Sequence, residues 1–274
     1  MSFMCNYFAV DNFNVSFNTT SSPIKIVSSF RLQCLFLGYS VLGMRLHRFY
    51  VSQPLGEEVV IDDVSLIKQW SNVFRYTKGD LVVLFNGEGS DVTYSFTSLS
   101  SKNASLLVQK RIPSYMPPKK VTLYLSLIKK DNFELVTQKA TELGISNIVP
   151  ILSERSEKKN INLERLKKVV IESSEQSGRG DIPTLSPITT LPQVLKNKLP
   201  HEISYVFDIS GKSFHKEKKG HSTVGLFIGP EGGWSDKEMQ AFEDAGVICA
   251  SLGQTTLRAE TAAIVSVAYT LEQA

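Results

Sequence analysis

The stretch Leu226-Phe-Ile-Gly-Pro-Glu-Gly-Gly-Trp-Ser-Asp-Lys-Glu238 decides the fold. Its apolar start, together with Val224 and Gly225, reads as a buried strand. Three glycines, one proline and one glutamate follow within residues 229–233. A helix then opens on Ser235 as N-cap, with Glu238 as its reciprocal partner three residues on. A tight turn needs only one glycine; several let the backbone approach a ligand closely or take positive φ. The order repeats in Ser251-Leu-Gly-Gln-Thr-Thr-Leu-Arg-Ala-Glu-Thr-Ala-Ala263. Again a strand runs through a loop into a helix, expected over 256–273 and apolar enough to be buried. Glu260 suits the positive end of that helix and Arg258 does not, so Arg258 calls for an anionic partner, either Glu260 or a ligand.

Outward from these segments, strands and helices alternate. Residues 121–127, 145–152, 205–208, 224–228 and 247–252 read as strands. Helices are expected over 131–143, with Asp131 and Glu134 capping, Val136, Ala140 and Leu143 sharing a face and Gly144 ending it, and over 163–177, ended by Gly178. This alternation predicts an α/β domain with a parallel sheet covered on both faces, where ligands bind at the carboxyl ends of the strands. Upstream of a Pro-Pro linker at 114–120 the pattern differs. Short strands near 45–51, 58–61, 80–85, 92–96 and 104–108, with one helix over 65–76, suggest a small β-barrel. The expected division is therefore a barrel at 44–113, a linker at 114–120 and an α/β domain at 121–274.

Charge and cysteine counts narrow the function classes. Thirty Lys and Arg stand against 27 Asp and Glu, a net charge of +3 that neither demands nor excludes nucleic acid. Three cysteines with no CxxC pair rule out a disulfide scaffold and a four-cysteine zinc site. The four His residues lack ligand spacing, so no metal is expected. No uncharged apolar run of 18 residues is present, so no ordinary transmembrane helix is expected. Residues 1–43 hold only Asp11, Lys25 and Arg31 as charges, with Cys5 and Cys34, and read as an atypical extension, disordered or upstream of a true start at Met44. Gly87-Glu-Gly89 reads as a hairpin turn. Gly211-Lys-Ser213 resembles a P-loop tail, but Val206 stands where that loop needs glycine. The basic run 212–219 reads as a solvated loop, with phosphate contact as the alternative, and Cys249 as a packing residue.

Several segments together carry a resemblance. Ile228-Gly-Pro-Glu-Gly-Gly233 followed by Leu252-Gly-x-x-x-Leu-Arg-x-Glu-Thr-Ala262 resembles the signature pair of the RsmE-type 16S rRNA (uracil-N3)-methyltransferases, a branch of the SPOUT class. Arg45-x-His-Arg-Phe, Asn72-Val-Phe-Arg75, Lys78-Gly-Asp80, Lys139-Ala-Thr-Glu-Leu-Gly144, Ser153-Glu-Arg-Ser156 and Glu175-Gln-Ser-Gly-Arg179 extend it over residues 44–274. Two positions depart from the family pattern. Gln69 or Trp70 stands where a histidine is common, and Trp234 stands where a smaller aliphatic residue is common.

The resemblance implies a PUA-like barrel that binds RNA and a C-terminal trefoil knot that forms both a cofactor pocket and a homodimer interface. It implies S-adenosyl-L-methionine as cofactor, held by Ile228, Gly229, Pro230, Glu231, Gly232, Gly233, Leu252, Gly253, Thr256 and Leu257. Arg258 and Glu260 are the candidate catalytic pair. Arg45, His47, Arg48, Arg75 and Arg179 are the expected RNA contacts. The implied partner is 16S rRNA within the small ribosomal subunit, with a cytoplasmic location. The alternatives are a related SPOUT enzyme with another target base, or an RNA-binding adaptor with an inactive pocket.

Overall fold

The structure, a computed structural model, describes residues 40–41, 44–196, 198–214 and 220–271. The expected extension over 1–43 lies outside these, apart from β1 (Ser40–Val41), which pairs antiparallel with β2 (Met44–Arg45). Most of the 212–219 loop, including His215, also lies outside them.

The N-terminal sheet is mixed and curled. It contains β3 (Arg48–Tyr50), β4 (Glu58–Ile61), β5 (Leu81–Phe85), β6 (Ser90–Leu99) and β7 (Ala104–Pro113) in the order β3-β5-β6-β7-β4. β3 runs parallel to β5, and the other neighbours are antiparallel. Gly87 and Gly89 take φ of 87° and 81° in the expected β5–β6 hairpin, a conformation that disfavours side chains. The helix expected over 65–76 begins on the Asp63 cap as α1 (Val64–Lys68) and continues as a π-helical turn, Gln69–Phe74. That turn buries Trp70 completely, edge-on to Phe49 at 5.7 Å and Phe96 at 5.1 Å.

The second sheet has seven strands, all paired in parallel. They are β8 (Lys120–Ser126), β9 (Asn147–Leu152), β10 (Thr184–Leu185), β11 (Thr189–Thr190), β12 (Ile203–Ser213), β13 (Thr223–Ile228) and β14 (Ile248–Ser251), in the order β10-β9-β8-β13-β12-β14 with β11 also on β9. The pleat sends alternate side chains to opposite faces. Leu123, Leu125, Leu226 and Ile228 join one core cluster with α2 (Lys130–Leu143), α3 (Leu163–Ser177) and α6 (Ala259–Leu271). Tyr124 and Phe227 join another with α4 (Leu191–Leu195) and α5 (Asp236–Asp244). Both faces are therefore covered, and β8 is buried from Val121 to Ser126, Thr122 and Ser126 included.

Local signals hold with small corrections. Gly144 and Gly178 end α2 and α3 at φ of 109° and 77°. α2 starts one residue earlier than expected, so Asp131 lies in its first turn and does not cap it. Phe133, Val136, Thr137, Ala140 and Thr141 form its buried stripe, and Leu143 is exposed. Two buried threonines belong to that stripe because their hydroxyls donate back to Phe133 O and Thr137 O, which satisfies them without water. α6 leaves the edge strand β14 and returns across β12 to pack on β8, β13 and α2.

Two arginines join the sheets. Arg48 on β3 donates to Asp91 on β6 through Nε and Nη2, both at 2.8 Å. Its remaining donors reach Ser174 O at 2.9 Å and Arg179 O at 2.7 Å, and its guanidinium carbon lies 3.3 Å from the Phe85 ring centroid. Arg179 pairs with Asp181 and donates to Thr141 O and Ile145 O, both at 2.8 Å. Tyr50 N–H reaches Glu175, whose carboxyl is pushed up chiefly by burial. The expectation that Arg48 and Arg179 contact RNA phosphates is thereby corrected. They are 9 % and 2 % exposed, and protein acceptors occupy their guanidinium groups. Asp91→Ala would leave Arg48 buried and without its carboxylate. It should cost about 3–5 kcal/mol of stability in urea unfolding, and a loss below about 1 kcal/mol would contradict this reading.

Candidate active site

A cavity of about 490 Å³ opens at the middle of β12, where its register shifts, and at the carboxyl ends of β13 and β14, and is closed by the starts of α2 and α6. That volume lies within the usual range for small-molecule sites. Ile228, Gly229, Pro230, Glu231, Gly233, Leu252, Thr256, Leu257, Arg258 and Glu260 all line it. The two segments singled out in the sequence thus meet at one place. Gly232 and Gly253 do not line the cavity. Gly232 turns toward Arg155, which stands 3.3 Å from where a side chain would begin, and Gly253 engages Ser251 Oγ through both backbone groups.

Each loop has a local reason for its shape. Gly233 closes a turn onto Pro230 O at 2.9 Å with φ of 68°. A side chain on Gly229 would meet the Trp234 indole at 3.1 Å, so the glycine makes room there. Trp234 itself packs edge-on against Phe242, and its indole N–H is buried with no partner among the described residues. Ser235 and Glu238 form the expected reciprocal cap of α5. Sequence reading missed the rest of the wall, including Lys129, Asn132, Phe207, Asp208 and Trp234. No motif marks Lys129 or Asn132. They reach the site because β8 lies beside β13.

Arg258 is exposed and Glu260 half-buried, and no ion pair joins them to each other among the described residues. Arg258 lines the cavity with no side-chain partner among the described residues. Burial, and then Asp208, pushes the Cys249 thiol up, which leaves it a poor nucleophile at neutral pH. No group of three His, Cys, Asp or Glu is gathered as metal ligands among the described residues. Gly211 proves to be a packing glycine, because a side chain there would meet the Ala250 backbone at 2.5 Å. Of the other expected RNA contacts, His47 is exposed with its ring 4.3 Å from Phe74, and Arg75 is exposed in the left-handed region at φ of 56°. Arg45 lies in β2, and its side chain is outside the described set.

A parallel sheet with glycine-bearing loops around a cavity at its carboxyl ends is the frame of a nucleotide-type ligand site. Residues 116–271 match the family model described as RNA methyltransferase domain, and the chain belongs to that family. Its relatives define the branch. It is 29% identical to the ribosomal RNA small subunit methyltransferase E of Rickettsia conorii, over 82% of this chain and 95% of that protein. To the protein of the same name from Aquifex aeolicus it is 30% identical, over 80% and 96%. The crystal structure of the Neisseria gonorrhoeae enzyme bound to S-adenosyl methionine is similar at a TM-score of 0.75 and 28% identity, covering 82% of this chain and 96% of that one. A putative methyltransferase from Legionella pneumophila with the same bound cofactor is similar at 0.76 and 27%, covering 82% and 97%.

Gly211→Ala should separate β12 from β14 and displace the 251–258 loop. We expect lower thermal stability together with faster hydrogen exchange in β14. Unchanged exchange in β14 would contradict the packing role.

Proposed function

We propose that the protein methylates N3 of a uridine in small-subunit ribosomal RNA, with S-adenosylmethionine as methyl donor. The observation that carries this reading is the convergence of the 228–233 and 251–258 segments on one cavity, with Arg258 at its wall. Glycine backbone and the apolar side chains of Ile228, Leu252 and Leu257 suit a bent cofactor held mainly by main-chain contacts. The bound cofactor supplies an electrophilic methyl group on a sulfonium.

The chain has three tasks. It must align the base for in-line attack, which close walls achieve by restricting orientation. It must accept the base unpaired, since N3 lies on the pairing edge, and turning a base out costs roughly a few kcal/mol. It must also stabilise the negative charge left on the ring when N3 loses its proton. Arg258 is suited to the third task, and Glu260, in the first turn of α6, is the nearby carboxylate that could accept the proton or orient the arginine.

RNA docking is assigned to the exposed His47 and Arg75, with Arg45 beside them in sequence. α6 is mostly apolar beyond Glu260 and Thr261, and Ile264, Val265 and Ala268 remain half-buried. This supports a second copy of the chain against it and a homodimer as the working form. The return of α6 from the sheet edge supports the knotted path that the resemblance implies. A ribosomal RNA substrate implies action in the cytoplasm, on the small subunit or its precursor. No helix among the described residues is long and apolar enough to cross a membrane.

Arg258→Ala should bind S-adenosylmethionine like the unaltered protein by calorimetry and lose about 10²–10³ in methylation rate. Full turnover in that variant would remove Arg258 from the mechanism. Arg75→Ala should weaken binding to small-subunit RNA and lower the slope of log affinity against log salt by about one. An unchanged slope would move the docking face elsewhere.

A further inference from the structure

The Ser153-Glu-Arg-Ser156 turn lines no part of the cavity, yet it is bonded to the loop that does. Glu238 is 9 % exposed, and its carboxylate is split between two duties. One oxygen accepts Ser235 N–H at 2.9 Å, and the other accepts Glu154 N–H at 2.8 Å, from 84 residues away in sequence. Ser235 Oγ donates to Glu154 Oε2 at 2.6 Å, and Arg155 Nη1 donates to Gly232 O at 3.1 Å. The turn itself is closed by the Ser153 and Ser156 hydroxyls at 2.7 Å, both residues being buried. A fourth tie runs from Lys129 N–H to Glu231 Oε1 at 3.3 Å. Within five residues, 231–235, three are thus held from two other elements.

Three glycines in one loop create a physical problem that these ties answer. Glycine allows close approach of the backbone, but it leaves the free loop many shapes, and ordering them on binding weakens affinity. Charge-assisted bonds from a rigid neighbour restrict those shapes beforehand. We propose that Glu238 and Arg155, anchored through the Ser153–Ser156 turn, are positioning residues that hold the Gly229–Gly233 loop in its ligand-accepting shape. Affinity for the cofactor is then set in part by residues outside the cavity. This inference rests on the assignment of the cavity to S-adenosylmethionine.

The test uses the full chain, with S-adenosylmethionine as probe in calorimetry well below the melting temperature. Hydrogen exchange of the segment 229–235 is followed alongside. Glu238→Gln keeps the volume but turns one acceptor into a donor, and should raise Kd about tenfold and speed exchange in the loop. Arg155→Ala alters an exposed side chain that the fold does not require, and should raise Kd about threefold, with Arg155→Lys restoring most of the affinity. A lower melting temperature with wild-type Kd and wild-type loop exchange in both variants would overturn the proposal. If Glu238→Gln fails to fold, Arg155→Ala decides by the same two readouts. If the unaltered protein binds no S-adenosylmethionine, the cofactor assignment fails. Loop exchange then judges the clamp, and unchanged exchange in Arg155→Ala overturns it.

Discussion

Asp91 and Arg48 meet through two parallel hydrogen bonds of 2.8 Å, both residues more than nine-tenths buried, between a curled sheet and a parallel one. Either charge alone would be costly in that position, because burial removes its water. Together they satisfy each other, and the guanidinium donors left over reach the carbonyls of Ser174 and Arg179 in the second sheet's layer. Arg179 passes the linkage on to Thr141 O at the end of α2 and to Ile145 O before β9. Cations suit those positions because unpaired carbonyls gather at a helix C-terminus. Directional bonds thus run from the first sheet to the layer of the second. The exposed His47 and Arg75 are carried on the sheet so fixed, and the cavity lies in the other.

The cavity follows the same logic on a smaller scale. Its walls come from loops whose glycines allow close approach, and its rigidity comes from polar side chains that never enter it. Glu238 illustrates the economy: one carboxylate caps α5 and ties that cap to the turn after β9. Arg258, by contrast, has no such partner among the described residues.

Legibility in the sequence was uneven for physical reasons. Strands, helix ends and the two glycine-rich junctions were readable because their causes are local: a buried run, a capping box, a glycine at positive φ. Ten of the twelve residues assigned to cofactor or catalysis from the loops line one cavity, which spacing alone could not have shown. Arg48 and Arg179 were misread as RNA contacts. A basic residue in a charged segment looks the same whether it faces solvent or is buried; the acceptors of Arg48 lie 43 to 131 residues away, and the backbone acceptors of Arg179 lie 34 and 38 away. Gly211 was likewise ambiguous, since its reason is the Ala250 backbone on a neighbouring strand.

Local chemistry in the chain thus determined where strands, turns and caps form, and which two loops carry small and flexible residues. Tertiary structure decided which loops share a cavity and which arginines are buried. It also decided that a turn at 153–156 would govern a loop at 229–233. These outcomes depend on strand order and on long-range hydrogen bonds, and a side chain's sequence neighbours carry no record of either.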